Sequence, residues 1–216
     1  MCGRAMSFIR RYTVAWHVWS PAVADQSRVI PANEYRRERW KNGAGWTRQI
    51  VRMPDCEDWN WRLSIAEIER DAPFSAFPGV ERELVLLQGN GLRLRFENGM
   101  AVELQPPHGR MRFAGEDALF GELLDGPTHD FNLMWRRDRV AAELLHRPLV
   151  GSMLFFTEPG TGWAIHLLTG QAQFDADSGL PALWVGDTAL LVNEAERQRF
   201  VLQGGGELLA IKLSRL

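Results

Sequence analysis

Cysteine is nearly absent from these 216 residues: Cys2 and Cys56 are too few for a disulfide framework or a cysteine-based metal centre, and a reducing cytoplasm fits that usage. No stretch approaches the roughly 18 consecutive apolar residues of a membrane-spanning helix, so a soluble chain with no membrane partner is expected. Charge of one sign is also lacking. A net charge of -2, with 24% charged and 45% hydrophobic residues, is ordinary globular composition and gives no reason to expect a nucleic-acid partner. Histidine is sparse and scattered: His17, His108, His129, His146 and His166 include no one-apart pair that would place two ligands on the same side of a strand. Neither metal nor cofactor is therefore expected. A nucleophile is missing as well, since Ser64 and Ser75 lack the elbow sequence of a serine hydrolase and Cys56 lies in an acidic segment that disfavours its thiolate.

What the chain does have is short strand-like runs separated by turn residues. In Trp61 to Ile68, alternation places Arg62, Ser64 and Ala66 on one face and Trp61, Leu63 and Ile65 on the other. An arginine beside two small residues suggests a pocket wall. Glu83 to Gln88 and Leu92 to Phe96 flank Gly89-Asn90-Gly91, a hairpin composition. Between the strands lies Pro73-Phe74-Ser75-Ala76-Phe77-Pro78-Gly79, whose phenylalanines are suited to cover an opening. Thr47 to Met53, Met100 to Leu104, Arg110 to Phe113 and Leu119 to Leu124 read as further strands. In Thr128 to Arg137, Asn132, Met134 and Arg136 share a face opposite Phe131, Leu133 and Trp135, a second polar wall. Val140 to Leu145 suits either helix or strand. Trp40 to Thr47 carries Gly43-Ala44-Gly45, which reads as a strand-to-strand turn or as a backbone anion loop, but not as a P-loop.

From Leu149 onward the pattern repeats. His166 to Phe174, with Gly170, resembles Val85 onward with Gly89, and Gly186 to Val192 with Arg199-Phe200 echoes Val102 to Leu104 with Arg112-Phe113 at a similar offset. The fold class expected is therefore all-β, a pair of jelly-roll-like antiparallel β-barrels in one compact chain. Residues 28–148 form the first barrel with the pocket and 149–216 a smaller second one. Residues 1–27 read as a variable extension; Arg10-Arg11 and Ala22-Val23-Ala24 have a signal-peptide look, which His17, Ser20 and Pro21 interrupt.

Strand, LLxGxG hairpin and GD-T-ALLV with a return strand resemble the cupin barrel, present twice. More narrowly, Trp40 to Thr47, Trp61 to Ile68, Pro73 to Gly79, and Gly126-Pro127 with Asp130 to Met134 resemble the HutD/Ves family of bicupins, from about Arg28 to Leu213. The family usually has a third glycine where this chain has Ala44. The resemblance implies a regulatory or accessory role linked to histidine utilisation, exercised by binding a small pathway carboxylate, with urocanate and N-formylglutamate as candidates.

An arginine fork suits such a carboxylate, and Arg62 is the first choice for it. Trp40 is suited to stack on a planar ligand, and Asn42, Ser64, Phe74, Asn132, Met134 and Arg136 complete the expected lining. The alternative is a cupin-type isomerase or hydrolase using Glu67 as base, or a metal gathered from distant residues such as His129, Glu67 and His108. Strict alternation puts Glu67 on the face opposite Arg62. The simpler second barrel leaves room for a homodimer.

Overall fold

The computed structural model describes residues 26–216; Cys2, His17 and almost all of the expected extension lie outside the described residues. Among the described residues there is no α-helix, and none long and apolar enough to cross a membrane. The strands are β1 (Arg28–Ile30), β2 (Arg36–Arg39), β3 (Gly45–Met53), β4 (Trp61–Ile68), β5 (Ala72–Pro73), β6 (Val80–Gln88), β7 (Leu92–Phe96) and β8 (Ala101–Leu104). They continue with β9 (Arg110–Ala114), β10 (Leu119–Leu123), β11 (Thr128–Arg136), β12 (Val140–Thr157), β13 (Thr161–Phe174), β14 (Thr188–Leu191) and β15 (Gln198–Arg215). The ambiguous stretch Val140 to Leu145 is thus strand, the first third of β12.

All pairings are antiparallel, in three sheets: six strands ordered β2-β3-β4-β11-β6-β9, four ordered β5-β10-β7-β8, and five ordered β1-β14-β13-β15-β12. Alternation decides which face of the six-stranded sheet meets which neighbour. Trp61, Leu63, Ile65, Phe131, Leu133 and Trp135 pack on Leu144, Ala164, Leu209, Ile211 and Leu213 of the five-stranded sheet. The residues between them in sequence face the other way, where Ala66, Ile68, Leu84 and Leu86 meet Leu92, Leu94, Phe96 and Leu119 of the four-stranded sheet. The six-stranded sheet is therefore the shared middle layer, and the candidate pocket opens on its outer face. A third apolar cluster, with Phe155, Leu167, Phe174, Phe200 and Leu202, fills the far end of the five-stranded sheet.

Two sequence expectations are corrected here. Neither glycine turn is the expected hairpin: Gly89-Asn90-Gly91 carries the chain from β6 of the six-stranded sheet to β7 of the four-stranded sheet, which do not pair with each other, and Gly170 lies inside the continuous strand β13, opposite Gly206. A glycine with positive φ serves a strand bend as readily as a turn, and a register shift between Leu167 and Thr169 marks the bend. The division drawn between 148 and 149 lies along β12, which pairs with β15 without interruption from Val140 to Thr157. At the other end, β1 belongs to the five-stranded sheet through its pairing with β14, so the two halves are laced together.

Candidate functional site

A cavity of about 710 Å³ opens on the outer face of the six-stranded sheet, closed on one side by the Pro73–Phe77 segment and on another by the β2–β3 turn. Seven of the eight expected residues line it: Trp40, Asn42, Arg62, Ser64, Phe74, Asn132 and Met134. Register explains their convergence. On β11, Met134 stands opposite Arg62 of β4 and Arg82 of β6, and one row along Asn132 stands opposite Ser64 and Leu84. Side chains directly across an antiparallel pair share a face, so the two arginines flank one methionine on the pocket wall.

Arg136 is the exception. Although on the same face of β11, it is drawn to the end of the strand, where its Nε donates to the Trp59 carbonyl at 3.1 Å and its guanidinium lies 3.5 Å from Asp58. It secures the 54–60 loop rather than lining the cavity. Glu67, as alternation predicts, faces away from Arg62, and its carboxylate is held by Arg37 at 2.6 Å and Arg48 at 2.8 Å. His129 lies across from Glu67, but His108 is gathered into a different cluster, so the three do not meet.

Sequence reasoning missed Arg82, only 5% exposed. Its signal was present: Val80, Arg82, Leu84 and Leu86 alternate on one face, and a lone arginine in an apolar stripe demands a reason. The guanidinium lies among the rings of Phe74 (5.1 Å), Phe77 (5.6 Å) and Phe113 (5.1 Å) and reaches the Ser75 carbonyl at 3.4 Å. Burial, and secondarily the charge of Arg62, bring its pKa down to about 10, so it remains charged at neutral pH. Arg62 is also lowered, chiefly by burial and then by Arg52, with Glu38 opposing. Among the described residues neither arginine has a salt-bridge partner, and the Nε of each is buried without a hydrogen-bond acceptor. The side-chain oxygen Oδ1 of Asn132 is likewise buried and unpartnered.

The aromatic wall is held in place. Trp40 donates its indole N–H to Thr47 Oγ1 at 2.8 Å, which fixes the ring over the cavity mouth. The Gly43-Ala44-Gly45 loop is the β2–β3 turn: Gly43 N–H bonds the Trp40 carbonyl, and Ala44 N–H bonds the Asn42 side-chain oxygen at 3.0 Å. These N–H groups are already used, which favours the turn reading over an anion loop. Ala44 is accommodated because only Gly43 in this turn has positive φ.

Two buried titratable groups meet at β11: Asp130 on the strand itself, on the same face as Asn132, and His166 of β13, packed against the opposite face. Asp130 is fully buried, accepts from Thr128 Oγ1 at 2.7 Å, and burial raises its pKa to about 7 from 3.8. His166 packs on Phe131 with its Nδ1 2.9 Å from Thr188 Oγ1, and burial lowers its pKa to about 4 from 6.5. Asp130 stabilises the fold fully below about 3.8 and loses that contribution as pH rises toward 7, because the fold holds a proton that the unfolded chain has released. His166 acts oppositely: its contribution is complete above 6.5 and is lost as pH falls to about 4. Between pH 4 and 6.5 the two slopes oppose, each at about 1.4 kcal/mol per pH unit. Urea melts should therefore show Asp130→Asn gaining stability from pH 4.5 to 6.5 relative to the parent chain, and His166→Gln losing it. Parallel profiles in both variants would refute the assignment.

Comparison with known proteins bears on the fold and the family. The chain is 38% identical over 121 residues to a Pseudomonas putida protein described as an uncharacterized 21.2 kDa protein in the hutC 3′ region, a match spanning 55% of this chain and 63% of that one, less than two thirds of its length. It is 37% identical over 137 residues to protein Ves of Cronobacter sakazakii, covering 63% of this chain and 73% of that one. Its fold matches the solved structure of HutD from Pseudomonas fluorescens SBW25 with a TM-score of 0.76 at 28% identity, over 88% of this chain and 99% of that one. More distant solved structures share a cupin-like all-β fold. The family model described as HutD matches residues 32–210, and the chain accordingly belongs to the HutD family.

Proposed function

We propose that this chain is a non-enzymatic bicupin that binds a small carboxylate between its six- and four-stranded sheets and acts as a regulatory or accessory protein of histidine utilisation. The observation that carries this reading is the pair Arg62 and Arg82, flanking Met134 on the pocket wall with no salt-bridge partner among the described residues. Arg82 is buried and Arg62 partly buried, and neither is in a salt bridge, so the empty pocket carries a desolvation cost that a carboxylate entering between them relieves. Trp40, Phe74 and Met134 supply flat apolar surface, which suits a planar acid such as urocanate; N-formylglutamate is the other candidate. The hutC-region relative supports the pathway context. The bicupin reading rests on two separate apolar interiors, one between the six- and four-stranded sheets and one within the bent five-stranded sheet. On this reading the 28–148 half carries the ligand and the 149–216 half serves structure or dimerisation. The exposed, free Cys56 suits a cytoplasmic location. The enzymatic alternative through Glu67 loses its base to Arg37 and Arg48.

Thermal unfolding of the full chain tests the proposal. A ligand binding only the folded state stabilises it by about 2.7 kcal/mol at 100 times its Kd, so the midpoint should climb with urocanate or N-formylglutamate concentration. The climb should vanish in Arg62→Ala. Absence of any shift with these acids and their relatives, or a shift that persists in Arg62→Ala, would reject the site.

A further inference from the structure

We propose that His108, His146 and Glu207 form a divalent-metal site of the Zn²⁺ class where the β8–β9 loop meets β12 and β15, joining the two halves of the chain. The donor atoms of the three side chains lie within 4.8 Å of one another. His146 Nε2 is 2.9 Å and His108 Nε2 3.5 Å from the same oxygen, Glu207 Oε2, and the two imidazole rings meet edge-on at 4.8 Å. Adjacent ligands of a tetrahedral zinc, with bonds of about 2.0–2.1 Å, stand about 3.4 Å apart, so small rotations of these side chains complete the set. Imidazole with carboxylate is the donor combination that suits Zn²⁺, Ni²⁺ and Co²⁺.

The histidine geometry points to a cation in particular. His108 Nδ1 lies 3.3 Å from the Leu86 carbonyl, which can only accept, so Nδ1 is the donor there and Nε2 is the nitrogen turned toward the Glu207 carboxylate. Nε2 of His108, Nε2 of His146 and the Glu207 carboxylate thus converge on one point where a shared cation would be held by all three. A backbone carbonyl on the remote nitrogen is also the arrangement that orients metal-bound histidines. His108 is held there by a backbone with φ of +57°, the one non-glycine residue with positive φ among the described residues, a strain that tends to persist where function requires it.

Each ligand comes from a different place. His108 is in the β8–β9 loop, His146 on β12 and Glu207 on β15; Pro148 is the direct partner of Glu207 and Leu209 that of His146, so these two are diagonal neighbours on one face. No linear motif could have announced such a set. With side-chain exposures of 15% for His108, 37% for His146 and 44% for Glu207, the cluster reaches solvent, leaving room for entry of the ion and for water as a fourth ligand. It shares no residue with the arginine pocket.

The test uses the full chain, stripped with chelator and titrated with Zn²⁺ by calorimetry. One ion per chain is expected, with affinity falling at least tenfold in His146→Gln and in Glu207→Gln and unchanged in His129→Gln. Co²⁺ added to the unaltered chain should give the intense visible bands of a four-coordinate site, which keeps the proposal testable if a variant fails to fold. Substoichiometric Zn²⁺ binding, affinity indifferent to His146 and Glu207, or the pale spectrum of hexaaqua Co²⁺ would each overturn it.

Discussion

Arg82→Met is expected to weaken carboxylate binding on the order of a hundredfold while leaving the ligand-free chain at least as stable as before. The first part follows from losing charge-assisted hydrogen bonds, worth about 1.5–3 kcal/mol each, to a ligand held away from water. The second follows from the empty pocket's electrostatics. Arg82 is buried, its Nε lacks an acceptor, and Arg62 adds a like charge, so an apolar side chain of similar length among Phe74, Phe77 and Phe113 removes a desolvation cost. Lost cation–π contact with the three rings offsets part of that gain, about 0.5–2 kcal/mol per contact at most. A purely structural arginine would behave oppositely, with stability falling and affinity indifferent. Calorimetric titration alongside urea melts separates the two, and an affinity within threefold of the parent would sink the role assigned to Arg82.

Gly206→Ala should cost about 4 kcal/mol or more, a large share of the 5–15 kcal/mol that holds a domain folded. A Cβ built there would sit 1.9 Å from the Thr169 carbonyl oxygen, and the φ of +137° is itself unfavourable for alanine. Gly170→Ala should be comparably damaging, its Cβ 1.9 Å from the Gly205 carbonyl oxygen. Backbone, not a flexible side chain, is the obstacle, so β13 and β15 would have to separate where the five-stranded sheet bends. Gly99→Ala is the control: φ is +88° but nothing lies within 4 Å, so only strain of about 1–2 kcal/mol is expected. Equal losses at Gly206 and Gly99 in denaturant melts would show that dihedral strain, not close strand approach, governs the site.

Much of the pocket was legible because side-chain alternation is local. Trp61 to Ile68 announces its two faces by composition alone, and both were found as read, Arg62, Ser64 and Ala66 on the cavity and Trp61, Leu63 and Ile65 in the core. Leu92 to Phe96 and Trp61 to Ile68 match their strands end to end. Arg136 failed although its face was right, because the reach of a long side chain toward Trp59 and Asp58 depends on a loop 77 residues away in sequence. Gly170 failed because positive φ announces a special backbone and not which kind.

By itself the sequence determined that this chain is all-β, which residues of each strand share a face, which family it joins, and that one face of β4 carries an arginine suited to an acid. Only the tertiary structure decided that Arg82 faces the same pocket as Arg62 across Met134, that the five-stranded sheet bends at Gly170 and Gly206, and that His108, His146 and Glu207 converge. The reason is the same in each case. Alternation is a property of consecutive residues, whereas the register of β4, β11 and β6, and the docking of the β8–β9 loop on β12 and β15, arise from pairing between segments far apart in the chain.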